Sequence, residues 1–448
     1  MNVKNSRKLA FLLVTMMVLS ILAGCNGTGS QTTSEVGSKG TSDGKPITVW
    51  NCDNSPLFED AVKQLIANYK EANPDMEVEY TGLPWSNAKE KFDVAIATDT
   101  APDCAYVVQS WVGSMANAGG LLPFNNYVDQ WDIKDEFDLD LIYNSGLAPT
   151  GDLYMMPFEY GSVICWYRTD WYKDAGIKAP DTFDEFFDNI KATNDPASRR
   201  YGFSMIGNAN VMTQLECFLI SYSGTTSYFD DKGECFVTDP KVLEGLKRYA
   251  GLYNVYTAEG DISNSHIEML AAFGSDLAGT IYHNSSSYPD HLKNLEDPSL
   301  FDCFVLPTAD NGVRSIPTGS FSYAGWIMFE DTKHPDDTWD FISFCCNSEQ
   351  QSYWNQTVAG LPTNLVTQVE PWVEEYPALA RLRDALATEE TAFCAVPVEY
   401  PDFMSVHTNI LVPGFQAVLL GEKQPEVFLE EWNVAMKKAK ADYEASNK

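Results

Sequence analysis

Basic residues are scarce in this chain of 448 residues: Lys and Arg number 30 against 63 Asp and Glu, for a formal net charge of −33. Lys4, Arg7 and Lys8 sit in an N-terminal stretch without acids, so the rest of the chain is more negative still. A surface that acidic repels phosphate backbones and anionic head groups. It excludes nucleic acid as a partner and any membrane contact except through a covalent lipid. Cysteine spacing excludes a metal framework. Besides Cys25 there are cysteines at 52, 104, 165, 217, 235, 303, 345, 346 and 394, with no CxxC pair and no Cys/His cluster at zinc spacing. Several lie in apolar stretches, as in Val163-Ile164-Cys165-Trp166, so buried free thiols are expected. P-loop and dinucleotide fingerprints are missing, and no cofactor is expected.

An apolar run long enough to span a bilayer is also lacking. Leu9 to Leu22 is interrupted only by Thr15 and Ser20 and falls short of the roughly 20 residues a spanning helix needs. Preceded by the basic head and followed by Ala23-Gly24-Cys25, it reads as a lipoprotein signal peptide over residues 1–24, with the Cys25 thiol as the lipid-bearing N-terminus after cleavage. Residues 25–45 are rich in Gly, Ser and Thr, with Val36 the one large apolar residue, which describes a flexible tether. The expected location is the extracytoplasmic face of a monoderm cell membrane.

From Ile47 onward, strand and helix patterns alternate. Ile47-Thr48-Val49-Trp50 is β-prone. Leu57 to Tyr69 places Phe58, Val62, Leu65, Ile66 and Tyr69 on one helical face, and Asn73-Pro74 stops it. Glu77 to Tyr80 alternates as a strand, Ser86 to Thr98 is helical, and Cys104 to Val108 is a buried strand after Ala101-Pro102-Asp103. This β-α-β-α-β order predicts an α/β lobe with a largely parallel sheet and ligands outside the carboxyl ends of its strands. A body of roughly 400 residues exceeds one simple core and suits two lobes.

Several segments carry a resemblance by their shared order: Ala101-Pro102-Asp103, Trp111, Gly119-Gly120-Leu121-Leu122-Pro123, Met156-Pro157-Phe158, Trp166 to Trp171, Pro180 to Phe186, Gly279-Thr280-Ile281 and Ala359-Gly360-Leu361-Pro362. Together they resemble the family-1 extracellular solute-binding proteins, the sugar receptors of ABC importers related to maltose-binding protein. Arg168, Thr169 and Phe183 depart from the family pattern. The resemblance implies a two-lobed periplasmic-binding-protein-like α/β fold with hinge-linked lobes and a ligand cleft. One lobe is expected at 46–157 plus 318–352 and the other at 158–317 plus 353–448. It further implies a carbohydrate ligand, ABC permease subunits as partners, a monomer, and hinge closure without bond-making chemistry.

A sugar offers hydroxyls at its rim and a C–H face, so its receptor needs planar polar groups beside aromatic platforms. Candidates are Trp50, Asn51 and Asp53 after the first strand, Gln109 and Trp111 after the third, and Glu159 and Tyr160 at the first crossing. In the second lobe they are His283 and Asn284, followed by three serines, with Ser320 and Phe321 at the second crossing and Trp354, Tyr400, Asp402 and Phe403 later. Each has a structural alternative. Trp50, Trp111 and Trp354 suit a core equally well, Asn51 and Asp53 could cap the next helix, and His283 could be a satisfied histidine. Glu159 is harder to place structurally, because a buried carboxylate needs partners. The C-terminal stretch with Val427, Phe428, Glu431, Trp432 and Ala435 reads as packing. Two other readings stay open: a lipid-anchored glycoside hydrolase, for which no carboxylate pair is singled out, and the same fold with a non-sugar solute.

Overall fold

The computed structural model describes residues 45–143, 151–208, 212–318 and 322–446. Cys25, Ser320 and Phe321 lie outside them. Among the described residues there are twelve strands: β1 Ile47–Asn51, β2 Val78–Gly82, β3 Cys104–Val108, β4 Met156–Tyr160, β5 Val163–Arg168, β6 Tyr201–Ser204, β7 Ala278–Asn284, β8 Phe301–Phe304, β9 Arg314–Thr318, β10 Tyr323–Met328, β11 Leu361–Pro362 and β12 Thr391–Ala395.

The first sheet has six strands in the order β11-β4-β10-β3-β1-β2. β1 pairs in parallel with β2 and β3, whereas β10 pairs antiparallel with both β3 and β4. Residues Cys104 to Val107 are all buried, as a central strand covered on both faces requires. The helix Pro56–Ala72 starts with proline, whose fixed φ suits a first turn. It buries Ala61, Val62, Leu65, Ile66 and Tyr69 at helical spacing. Helix Trp85–Ala97 follows β2.

The second sheet is β6-β7-β5-β8, with β6 and β7 parallel and β5 antiparallel to its neighbours. Its core gathers Trp166, Phe186, Phe218, Tyr249, Ile281 and Trp432. The C-terminal helix Pro425–Ser446 contributes Phe428, Trp432, Met436 and Ala439 to the buried side, while Val427 is exposed, contrary to the packing expected of it.

The lobe boundaries differ from those expected. Phe158 and Tyr160 belong to the first core, because β4 continues through Tyr160 as a partner of β10 and β11. Trp354, Leu361, Val373, Leu379 and Leu382 also lie there. The cause is the helix Ser348–Val358, which docks on the helix Pro56–Ala72, with Asn68 Nδ2 donating to Gln350 Oε1 at 2.7 Å. The chain leaves the first sheet after Tyr160 and enters β5 two residues later through Gly161-Ser162. β10 belongs to the first sheet again. Residues after the helix Pro377–Leu386 lead to β12, which pairs with β9 in a separate parallel ribbon. All nine cysteines other than Cys25 are buried and free. Burial pushes the thiols of Cys104, Cys165 and Cys345 well up, so they pack as neutral apolar groups.

Candidate functional site

A cavity of about 420 Å³ lies where the two lobes face each other across the crossing segments, within the size range of small-molecule sites. Its first-lobe wall comprises Phe58, Val108, Glu159, Tyr160 and Tyr323, with the turn Thr357-Val358-Ala359-Gly360; the opposite wall is Asn284, Ser285, Ser286, Pro289 and Asp290. Gly161, Ser162 and Ser322 form the floor between them. The floor is tied together by hydrogen bonds from backbone amides. Gly161 N–H donates to the Ser322 carbonyl at 2.7 Å, Ser285 N–H donates to the Ser162 carbonyl at 2.8 Å, and Ser162 N–H donates to Ser285 Oγ at 3.2 Å.

Glu159 is the strongest polar feature of this cavity. It sits on β4 and is half-buried, enclosed by protein yet open to the cavity. Trp354 Nε1 donates to its Oε2 at 2.8 Å. Burial pushes its carboxyl up, opposed first by the Trp354 hydrogen bond and then by the nearby Tyr106 hydroxyl. A network behind β4 fixes this geometry. Asn355 Nδ2 donates to the Phe158 carbonyl at 3.2 Å, Thr363 Oγ1 donates to the Pro157 carbonyl at 2.7 Å, and Gln351 Nε2 donates to Thr363 Oγ1 at 2.9 Å. Gly360 leaves the room this needs, since a Cβ there would stand 3.0 Å from Glu159 Cβ and 3.1 Å from its Oε2.

Ala359, beside it, ends the helix Ser348–Val358 in the left-handed region at φ 57°. That conformation costs an L-residue about 1 kcal/mol, and glycine relieves it. Ala359→Gly is expected to raise stability by up to about 1 kcal/mol, read as a higher urea midpoint with an unchanged slope.

Of the residues expected at a site, Glu159, Tyr160 and Asn284 come together on this cavity. Trp354 reaches it only through Glu159. His283 points away from it: buried, its Nε2 is 3.0 Å from His266 Nδ1 and its Nδ1 meets the Ser287 hydroxyl. Burial, then His266 and His291, push its pKa down to about 3, so it is neutral at physiological pH. The remaining candidates among the described residues do not line the cavity. Asn51 is buried, its Nδ2 donating to the Asp53 carbonyl at 2.8 Å, while Asp53 Oδ1 accepts from Ser55 N–H at 2.7 Å, so both shape the turn before the first helix. Trp50 packs on Phe92 with ring centroids 5.7 Å apart, and Gln109 is buried at the start of the helix Gln109–Asn117. Tyr400 packs on Tyr443 at 4.8 Å, Phe403 lies in the second core, and Asp402 is exposed just before it.

Trp111 forms an aromatic ledge with the exposed Trp85, ring centroids 5.1 Å apart. The same helix meets the second lobe at the cleft rim. Asn117 Nδ2 donates to Tyr443 Oη at 3.3 Å, and a Cβ on Gly113 would lie 2.5 Å from Glu399 Cβ. Glycine is thus what allows the two surfaces to touch there, and the described conformation has its lobes in contact across the cleft. Phe58, Ser162, Ser285, Ser286, Asp290 and Tyr323 were not among the expected site residues. The serine run after β7 was a legible signal for the second-lobe wall, whereas nothing local marks Phe58 or Tyr323.

The model for bacterial extracellular solute-binding proteins matches residues 55–352. Among relatives, the maltotriose-binding protein of Pyrococcus abyssi is 26% identical over 202 residues, 45% of this chain and 41% of that protein. The lactose-binding protein of Rhizobium radiobacter is 24% identical over 316 residues, 66% of this chain and 69% of that protein. The chain therefore spans about two-fifths of the former's length and about two-thirds of the latter's. In three dimensions it is similar to the sugar-binding protein MalE from Xanthomonas citri, with a TM-score of 0.76 at 18% identity, covering 89% of this chain and 98% of that one. That likeness carries the two-lobed fold, and the family match over residues 55–352 takes in more than half of the chain: the chain belongs to the bacterial extracellular solute-binding protein family.

Proposed function

We propose that this protein is the receptor of an ABC importer, a lipid-anchored monomer that captures a carbohydrate between its lobes and presents it to the permease subunits. The observation that carries this reading is the interlobe cavity, where Glu159 from one lobe faces Asn284, Ser285 and Ser286 from the other. A ligand bridging these walls interacts fully only with the closed form and stabilises it by that difference. Hydroxyl-rich solutes suit a wall of carboxylate, amide and serine groups beside the rings of Phe58, Tyr160 and Tyr323. The maltotriose- and lactose-binding relatives support the same ligand class.

Nothing in this mechanism requires catalysis. The string Gly40-Thr41-Ser42-Asp43-Gly44 has the spacing of a serine-hydrolase elbow. It follows no β-prone run, however, and such an elbow needs a strand before the serine and a helix after it. An oligosaccharide panel tests the receptor reading: at least one member raises the unfolding temperature and none is cleaved. Turnover by rigorously purified protein contradicts it.

The anchor has its own test. Cys25→Ala removes the thiol that would carry the lipid, so the variant is expected to appear in the medium or as uncleaved precursor, with its soluble body still binding solute. Correct cleavage with unchanged, detergent-requiring membrane association contradicts the lipoprotein assignment.

A further inference from the structure

Charge is distributed over the cavity in a one-sided way. Glu159 and Asp290 line it from opposite lobes, and no Lys, Arg or His is found among the described residues that line it. The internal segments 144–150, 209–211 and 319–321, which lie outside the described residues, contain no residue of those types in their sequence. Asp290 stands in the first turn of the helix Tyr288–Leu295 and is exposed. That position suits an acid but leaves its charge on the wall. Glu159 accepts from the neutral indole N–H of Trp354 at 2.8 Å, which orients its carboxylate without cancelling its charge.

Resting on the reading of this cavity as the solute site, we infer that the cleft selects its solute by charge. It takes saccharides bearing a protonated amino group in preference to their neutral counterparts, and it rejects their carboxylated ones. An ammonium group supplies the counter-charge that Glu159 lacks, through a charge-assisted hydrogen bond stronger than one from a neutral hydroxyl. A carboxylated solute brings a third negative charge to a cavity whose described lining carries no cationic side chain. The net charge of −33 also steers cations toward the protein and anions away from it.

The test is titration calorimetry at pH 7 on matched sets. One set is D-glucose, D-glucosamine and D-glucuronate; another is cellobiose, the disaccharide of β-1,4-linked glucosamine, and cellobiouronate; spermidine is the cation that is not a sugar. In at least one set the amino member is expected to bind roughly tenfold tighter than the neutral one, and the carboxylated member roughly tenfold weaker. Glu159→Gln should remove most of the amino preference, and Asp290→Asn, on an exposed side chain, should reduce it without endangering the fold. A neutral or carboxylated member binding best overturns the inference while leaving the carbohydrate-receptor reading intact. So does an amino preference unchanged in both variants. Binding of spermidine alone overturns the carbohydrate reading and, with it, the assignment to amino saccharides. Binding of none of the compounds overturns the inference as well.

Discussion

Trp354→Ala is expected to lower folding free energy by about 3–5 kcal/mol, the cost of emptying a fully buried tryptophan site. Trp354 has no solvent exposure, and its ring packs against Tyr106, Phe158 and Phe58 at centroid distances of 4.9, 5.2 and 5.7 Å. Truncation opens a cavity among three aromatic neighbours and withdraws the indole N–H that Glu159 accepts. Trp354→Phe separates the two effects, since it keeps most of the volume but not the donor. Urea unfolding should rank wild type above Trp354→Phe and Trp354→Ala last; a loss below about 1 kcal/mol in the alanine variant would show that the ring does not carry this core.

The second large effect is a pH dependence from Asp261. This residue is 4% exposed. Its Oδ2 accepts from Met205 N–H and its Oδ1 from Asn264 Nδ2, both at 2.9 Å. Burial raises its pKa from 3.8 to about 6, against the opposing pull of these bonds and of Ser204. Between these two values the folded state binds more protons than the unfolded state, so stability falls as pH rises through the window. The contribution is complete below about pH 4 and lost above about pH 6, at about 2–3 kcal/mol for a shift of this size. Asp261→Asn should flatten that part of the stability profile relative to wild type, which cancels the contributions of other acids such as Glu159 and Glu399. Parallel profiles for the two proteins would contradict the assignment.

Local patterning made the first half of one lobe legible. The expected order of strands and helices from Ile47 to Val108 recurs within a few residues, and Cys104–Val108 recurs without change. Apolar spacing and stop residues such as Pro74 and Pro102 act within a few positions of themselves, which is why they could be read. The insertion of β10 between β3 and β4 could not, because it pairs Tyr106 with Trp326 across more than half the body of the chain. The same limit displaced the lobe boundary past Tyr160 and moved Trp354 into the first core.

Within the site, chemical type decided what was readable. A carboxylate in an otherwise apolar strand singled out Glu159, since burying it demands a partner. Aromatic residues gave no such contrast. Trp354 filling a core, Trp111 on a rim ledge and Tyr400 under the C-terminal helix share one composition and three environments. Gly360 and Gly113 matter for the space they leave, at 3.1 Å from Glu159 Oε2 and 2.5 Å from Glu399 Cβ for a Cβ that is not there. Space of that kind becomes visible only after distant segments have met.

The most direct test of the cleft as the solute site is calorimetric titration of wild type and Glu159→Gln with the saccharide that most stabilises the wild type. The variant keeps the shape of the side chain and removes its charge. Its affinity is expected to fall roughly tenfold to a hundredfold, the scale of a hydrogen bond to a charged group, with the fold intact by circular dichroism. An unchanged affinity in a folded variant would place the solute elsewhere and contradict the account.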